Sequence, residues 1–402
     1  MNQAFDVAIV GGGLVGASLA AGLAPSGLRV ALIEAAAPPA STPGWDERCI
    51  AINHASRQIF AALGVWDALA PEAATIVSTH ISEQGRFGVA RFSAAEAGLE
   101  ALGYNLPLRA IGQTLWARML ALGKTQLHCP ARLESLEVGD AAVELQLADG
   151  GSLSARLLIA ADGAGSRVRE LLAVGSERRD YAQSAIVTAV RTRRPHRGCA
   201  YERFTPDGPI ALLPKGREPN RCSLVWTTPA AEVDARMAWR DDVFIAHAEA
   251  AFGERLGEFV ELGRRQAHPL ARVMSDQLRA PRVLFVGNAA QSLHPVAAQG
   301  FNLGLRDVAA VIEVLGMPGA ELDCGVDELL QRYEASRRED RERVAGFTDR
   351  IVRVFSNRLP GLRGLRHLGL LALDLAPPLK QAVMWQNLGL GGSTPALARN
   401  GR

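Results

Sequence analysis

The stretch Phe5-Asp6-Val7-Ala8-Ile9-Val10-Gly11-Gly12-Gly13-Leu14-Val15-Gly16 decides how this chain begins to fold. An apolar run that stops at glycines and resumes as the Ala- and Leu-rich segment Leu14 to Leu23 reads as strand, tight turn and helix. Gly11 permits the turn out of the strand, Gly13 lets backbone approach a pyrophosphate, and Gly16 lets the helix pack close to the sheet. Phosphate would rest on the helix N-terminus, where unpaired N–H groups and the dipole favour an anion. Gly27 is placed to end the helix, and Leu28-Arg29-Val30-Ala31-Leu32-Ile33-Glu34 reads as a second buried strand closing on an acid. The Glu34 carboxylate there suits a ribose diol and opposes a 2′-phosphate. The whole is a βαβ unit of about 30 residues and predicts a dinucleotide site.

Length and composition bound the remainder. A chain of 402 residues can bury a large core and is longer than one ordinary domain, so two or three lobes are expected. A formal charge of +2 gives no electrostatic case for nucleic acid. Cys49, Cys129, Cys199, Cys222 and Cys324 are scattered without a CxxC, which suggests neither a disulfide framework nor a zinc site, and no other metal-ligand cluster is evident. The first apolar run is short, carries Asp6 and flows into the glycine turn, unlike a signal peptide. No uninterrupted apolar run reaches the ~20 residues of a membrane span. These features predict a cytoplasmic protein.

Three segments share one design of buried strand, glycine turn and helix start: Phe5 to Gly16, Leu157 to Arg169 and Val283 to Asp307. Between the last two, Ala185 to Thr192, Gly208 to Pro214 and Arg221 to Thr228 read as strands separated by Pro and Gly turns. The alternating run Ile76 to Ile81 adds to them. The expected architecture is α/β: a Rossmann-like nucleotide-binding domain (1–73, 105–180 and 268–345), an inserted, mainly antiparallel β substrate domain (74–104 and 181–267) and a helical C-terminal segment (346–402). The run Arg337-Arg338-Glu339-Asp340-Arg341-Glu342-Arg343 is expected to be a solvated helix face with i,i+4 pairs. Leu362 to Leu375 joins a leucine-rich face to basic residues, and such a helix suits an anionic membrane surface, another subunit or its own domain.

The second segment, Leu157-Leu158-Ile159-Ala160-Ala161-Asp162-Gly163-Ala164-Gly165-Ser166-Arg167-Val168-Arg169, sets an Asp and two glycines at a strand end, with Ser166 placed to cap a helix. The third continues from Val283-Leu284-Phe285-Val286-Gly287-Asn288 to His294-Pro295-Val296-Ala297-Ala298-Gln299-Gly300-Phe301-Asn302-Leu303-Gly304-Leu305-Arg306-Asp307, with a helix opening near Asn302. In this order and at these separations the three resemble the fingerprints of the class A flavoprotein aromatic hydroxylases, the para-hydroxybenzoate hydroxylase fold. The stretch from His294 to Asp307 is most similar to the ubiquinone-biosynthesis hydroxylases, and the resemblance runs through nearly the whole chain.

That resemblance implies FAD as cofactor, NADPH or NADH as electron donor, O₂ as co-substrate, and a polyprenyl phenol hydroxylated on its ring by a flavin C4a-hydroperoxide. It implies a FAD site made by Gly11, Gly13, Leu14, Val15, Gly16, Glu34, Arg48, Gln113, Asp162, Gly163, Gly287, Asn288, Gln299, Gly300, Asn302 and Leu303, with Gln113 at a helix start. Glu34 then recognises the ribose of FAD and does not choose the electron donor. Substrate walls would come from the inserted sheet, with Tyr201, Arg203, Leu212, Leu213 and Pro214 as candidates. His294 is the one candidate for proton transfer, competing with a role in shaping the turn over the flavin. Two departures from the pattern stand out: Asn288 in place of Asp, and Ala298 in place of Gly, whose methyl group limits positive φ. A polyprenyl substrate would make the C-terminal amphipathic segment useful for peripheral contact at the inner face of a membrane, for a biosynthetic complex or for a homo-oligomer. Two alternatives use the same fold: a flavin-dependent reductase or dehydrogenase of a prenyl substrate, and a non-catalytic FAD-containing scaffold subunit.

Overall fold

Strand Gln3–Val10 runs through the centre of a parallel sheet, and Val7, Ala8 and Ile9 are wholly buried because both faces of that sheet are covered. Its neighbours are Ser152–Ala160 on one side and Val30–Ile33 on the other, with Val283–Phe285 and Thr125–His128 next outward, all parallel. Helix Leu14–Leu23, built of small and apolar residues, packs between this sheet and helix Gln299–Leu315. Each buried Leu or Ile contributes about 1.5–3 kcal/mol to that core. The computed structural model describes residues 3–36, 48–294, 298–317, 319–320, 322–356, 373–392 and 394–399. Most of Leu362 to Leu375, the amphipathic stretch singled out in the sequence, lies outside the described residues.

A second sheet of nine strands forms the other wall of the molecule. One of its faces, with Ile186, Ile210, Leu212, Leu224 and Trp226, is buried against Phe244 and Phe252 of helix Asp241–Phe252. Strand Ser78–Glu83 joins this sheet through a parallel pairing with Cys199–Thr205, in an otherwise antiparallel arrangement. The architecture is therefore the expected α/β one, with differences of extent. Strand Ser176–Thr192 begins before position 181, and its partner Gln266–Ser275 continues past 268. Both expected boundaries thus cut through strands. Composition hid this, because Ser176 to Asp180 are all polar or charged and lack an alternating apolar pattern. Ala74–Ile76 likewise belongs to a separate three-stranded sheet with Cys49–Asn53 and Gly103–Pro107.

The charge-rich helix Asp327–Ser356 corrects a second expectation. Arg337 and Asp340 are 1% and 2% exposed, not solvated. Arg337 donates to Asp307 over 2.8 Å and pairs with Asp340 over 2.8 Å, while Arg306 donates to the same Asp340 over 2.8 Å. Asp307 in turn accepts from the Gly287 N–H at 3.0 Å and from Gln291 at 2.6 Å. Burial pushes the Asp340 carboxyl up, and the Arg306 and Arg337 guanidiniums outweigh it, holding the group below the ordinary carboxylate range. Removing one member strands its partners in a dry interior. Arg337→Met should therefore cost about 3–5 kcal/mol, seen as a lower urea midpoint. Arg338→Met, at the exposed neighbour paired with Glu334, should cost no more than about 1 kcal/mol. Equal losses in the two variants would show that burial is not the cause.

Candidate active site

The site is assembled from three strand ends that hook onto one another. The Gly11 N–H donates to Ile33 O at 2.8 Å, the Ala161 N–H to Val10 O at 2.8 Å, and the Val286 N–H to Ala160 O at 3.0 Å. Gly11 has φ +102°, a left-handed conformation open chiefly to glycine. A Cβ on Gly16 would lie 1.8 Å from Gly11 O, so the helix meets the turn with no room for a methyl group. Trp116 donates its indole N–H to Gly12 O at 2.8 Å, and Glu34 accepts from the N–H groups of Gly12 and Ala36. Around Gly13 a Cβ would meet nothing within 4 Å, which leaves open space at the N-terminus of helix Leu14–Leu23.

In the second turn Asp162 accepts from the Val168 N–H at 3.1 Å, and Ser166 caps helix Arg167–Leu171 through the Arg169 N–H. The other Asp162 oxygen, Oδ1, is shielded from solvent and has no hydrogen-bond partner among the described residues. Arg169, itself buried, donates to Ala164 O and to Ala289 O, tying the second turn to the third. The third turn carries Gly287 at φ +56°, and Val15 sits so close that Cβ atoms on Gly287 and Gly304 would approach it to 2.9 and 3.1 Å. All three sequence fingerprints thus converge within van der Waals distance.

Helix Gln299–Leu315 opens three residues before the expected Asn302. Asn302 lies inside its first turn and is occupied by the chain: its oxygen accepts from Asn53 N–H and Ser56 Oγ–H, and its nitrogen donates to Ala51 O and Ala298 O. An amide side chain has two donors and two lone pairs, so Asn302 positions the turn and its side chain keeps nothing for a cofactor. Ala298 adopts φ +50°, ψ +35°, so the left-handed geometry of the turn is kept although the residue is not glycine. That costs about 1–2 kcal/mol.

Between the glycine turns and the nine-stranded sheet lies a cavity of about 710 Å³. Of the residues expected to hold cofactor, Gly13, Leu14, Val15, Arg48, Gly163, Gly287, Asn288, Gln299, Gly300 and Asn302 line it. Gly11 and Gly16 lie behind it in the turn, Glu34 and Asp162 at strand ends, and Leu303 is wholly buried in its helix and does not line it. Gln113 is the sixth residue of helix Leu108–Leu122, not its start, and accepts from Arg109 at 3.0 Å. Of the substrate candidates, Leu213 and Tyr201 reach the cavity. Leu212 points to the opposite face of the sheet, as the period of two requires, and neither Arg203 nor Pro214 lines the cavity. The Tyr201 ring packs edge-on against Phe252.

His294 does not line the cavity. It is 1% exposed with its ring edge-on to Tyr181, and burial lowers its pKa to about 4. It is neutral at physiological pH. Sequence reading missed Glu202, the sole acid lining the cavity among the described residues, whose pKa burial raises to about 7. Burial, then the positive charge of Arg48, lowers the pKa of His268 on the facing strand.

Bare glycines at Gly13, Gly163 and Gly300, none with atoms within 4 Å of a Cβ, form a cradle for a flat, phosphorylated ligand, and the orphaned Asp162 Oδ1 offers an acceptor beside it. These features fit FAD. Gly16→Ala should expel it: the purified variant is expected to lose most of its flavin absorbance near 450 nm, a loss of about tenfold or more in cofactor affinity, on the order of 1.4 kcal/mol. Gly27→Ala, where a Cβ meets nothing, serves as the control that should retain flavin. Full occupancy in the Gly16 variant would refute the tight-turn argument.

Residues 4–348 match the family described as "FAD binding domain". The chain is 38% identical to ubiquinone hydroxylase UbiL of Rhodospirillum rubrum over 99% of this chain and 93% of that protein. It is 37% identical to 3-demethoxyubiquinol 3-hydroxylase of Escherichia coli over 97% of this chain and 100% of that one. Among solved structures the fold is shared with p-nitrophenol 4-monooxygenase PnpA of Pseudomonas putida, at TM-score 0.80 and 17% identity over 96% of this chain and 99% of the other. PqsL of Pseudomonas aeruginosa, a probable FAD-dependent monooxygenase, matches at TM-score 0.77 and 21% identity over 92% and 99%. A fold with these turns, and relatives this similar along their whole length, leave one assignment: the chain belongs to the FAD-binding-domain family and is a FAD-dependent monooxygenase.

Proposed function

We propose that the protein hydroxylates the aromatic ring of a polyprenyl phenol in ubiquinone biosynthesis, drawing electrons from NADPH or NADH. The observation that carries this reading is the single cavity that joins the glycine cradle to a long apolar wall. With FAD bound, the cofactor supplies the activation of O₂ that no side chain can provide. The chain's own part is to bind, orient and keep dry. Gly13 and the first turn of helix Leu14–Leu23 would hold the pyrophosphate, and Glu34 the ribose. The N-terminal residues of helix Gln299–Leu315 line the same cavity, and their dipole would favour a bound flavin that becomes negative on reduction, worth up to ~2 kcal/mol. Ile81, Phe92, Leu102, Met384 and Leu388 extend the cavity in apolar surface suited to a prenyl chain.

Supplied with ¹⁸O₂, NAD(P)H and a short 2-prenylphenol, the flavin-loaded enzyme should yield a dihydroxy product carrying one labelled oxygen by mass spectrometry. An unlabelled or unreacted phenol, with NAD(P)H consumed, would sink the reading.

Membrane contact is part of the same proposal. No helix among the described residues is long and apolar enough to cross a membrane. Phe87, Leu375 and Leu379 nevertheless expose 97%, 72% and 50% of their surface. Their segments are joined: Lys380 pairs with Glu96 at 2.7 Å, and Asp374 accepts from the Arg91 N–H at 3.0 Å. The protein should float with anionic vesicles, and the double variant Leu375→Glu, Leu379→Glu should float several-fold less. Unchanged flotation of that variant would remove this surface from the proposal.

A further inference from the structure

One face of the nine-stranded sheet looks into the cavity, and its side chains are nearly all small or apolar. Around Glu202 stand Ile81 and Ala211, its register partners on the two neighbouring strands, then Ala200, Leu213 and Val225. A lone carboxylate in such a wall is expensive unless it meets a partner. Glu202 has no hydrogen-bond or ion-pair partner among the described residues, and its acid group opens onto the space between the sheet and the glycine cradle. A ligand that brings a donor would satisfy it. The other titratable or charged groups of the wall are Tyr201 on the same strand, His268 on strand Gln266–Ser275, and Arg48 and Cys49 beside strand Cys49–Asn53. Arg203 reaches instead to Gly253 beyond helix Asp241–Phe252, and His80 lies tilted against the Tyr201 ring.

We propose that Glu202 is the catalytic base of the site, accepting the proton of the substrate's ring hydroxyl. The proposal rests on the phenol hydroxylase reading. In the step, the phenol O–H bond breaks, the proton passes to a carboxylate oxygen, and the bonding pair stays on the phenol oxygen. The phenolate pushes that pair into the ring and makes it the nucleophile for oxygen transfer. The oxygen donor's O–O bond breaks as the new C–O bond forms; the ring carbon that gained oxygen then loses its hydrogen as a proton to the oxide left on the donor, and as aromaticity returns the carboxylic acid gives its proton back to the first oxygen. A base serves best when its pKa lies near the working pH, and burial raises that of Glu202 to about 7. The sign follows: a carboxyl raised by burial is the competent base only once it loses its proton, so kcat/KM should climb with pH through about 7.

The test compares flavin-loaded wild type, Glu202→Gln and Glu202→Asp, with 2-geranylphenol and its methyl ether as probes. Glu202→Gln should retain its FAD absorbance and lower kcat/KM for oxygen insertion by about 10²–10³-fold. Its pH inflection should move from about 7 toward the ordinary phenol value of about 10. Glu202→Asp should recover the lower inflection in part. Binding, read by calorimetry without turnover, should favour the phenol over the ether at least tenfold in wild type and less than threefold in Glu202→Gln. A glutamine variant that keeps the wild-type rate, inflection and preference overturns the proposal. If wild type binds the phenol preferentially through Glu202 yet inserts no oxygen, the hydroxyl contact stands and the hydroxylase reading falls.

Discussion

The third glycine turn and the helix that follows it are held by buried charge. Asp307 ties the Gly287 amide to Arg337, and Arg337 shares Asp340 with Arg306, so that two helices and a strand end are fixed by one lattice. Desolvating such ions costs several kcal/mol each, and their mutual attraction offsets it only when the geometry is good and the remaining polar atoms are bonded. A hydrophobic contact could bring the helices together as strongly. It could not set the angle of a backbone N–H beside the cavity. Charge here serves position, and the third glycine turn at Gly287 inherits its shape from it.

Much of this was legible in the sequence where backbone geometry demands one residue type. Gly11, Gly16 and Gly287 declare themselves because no side chain fits the contacts they make. The buried face of the long helix was readable with more care. Leu330, Tyr333, Arg337, Asp340 and Val344 recur at intervals of three and four, so the two charged residues share the apolar stripe. Mixed-sign neighbours masked that signal. Asn302 shows the reverse case: a residue in a cofactor fingerprint whose side chain is engaged by Asn53, Ser56, Ala51 and Ala298, contacts some 250 positions apart or a turn away that local sequence does not encode. Glu202 could not be found without register. Whether a strand's even or odd positions face a cavity is fixed only when Ala211 and Ile81 are known to lie beside it.

The cavity divides its labour between backbone and side chains. At the nucleotide end the ligand would meet peptide groups and helix termini, whose positions follow from glycine turns and vary little with substitution. At the sheet end it meets side chains, which a single substitution changes without moving the strand beneath. Ala298 stands at the border of the two regimes, holding a left-handed turn that glycine would adopt at no cost.

Strand Ser176–Thr192 has a consequence of a different kind. It is 17 residues long, roughly 56 Å at 3.3 Å per residue, and pairs along one edge with Gln266–Ser275. That partner binds Gln291–Ser292 just beyond the third turn, and Ser176–Thr192 binds the cavity-lining strand Arg221–Pro229 on its other edge. The wall and the turn are therefore marks on one ruler. In a two-body enzyme the distance between reacting atoms carries the play of a joint; here that play is limited to the elastic stretch of a hydrogen-bonded sheet.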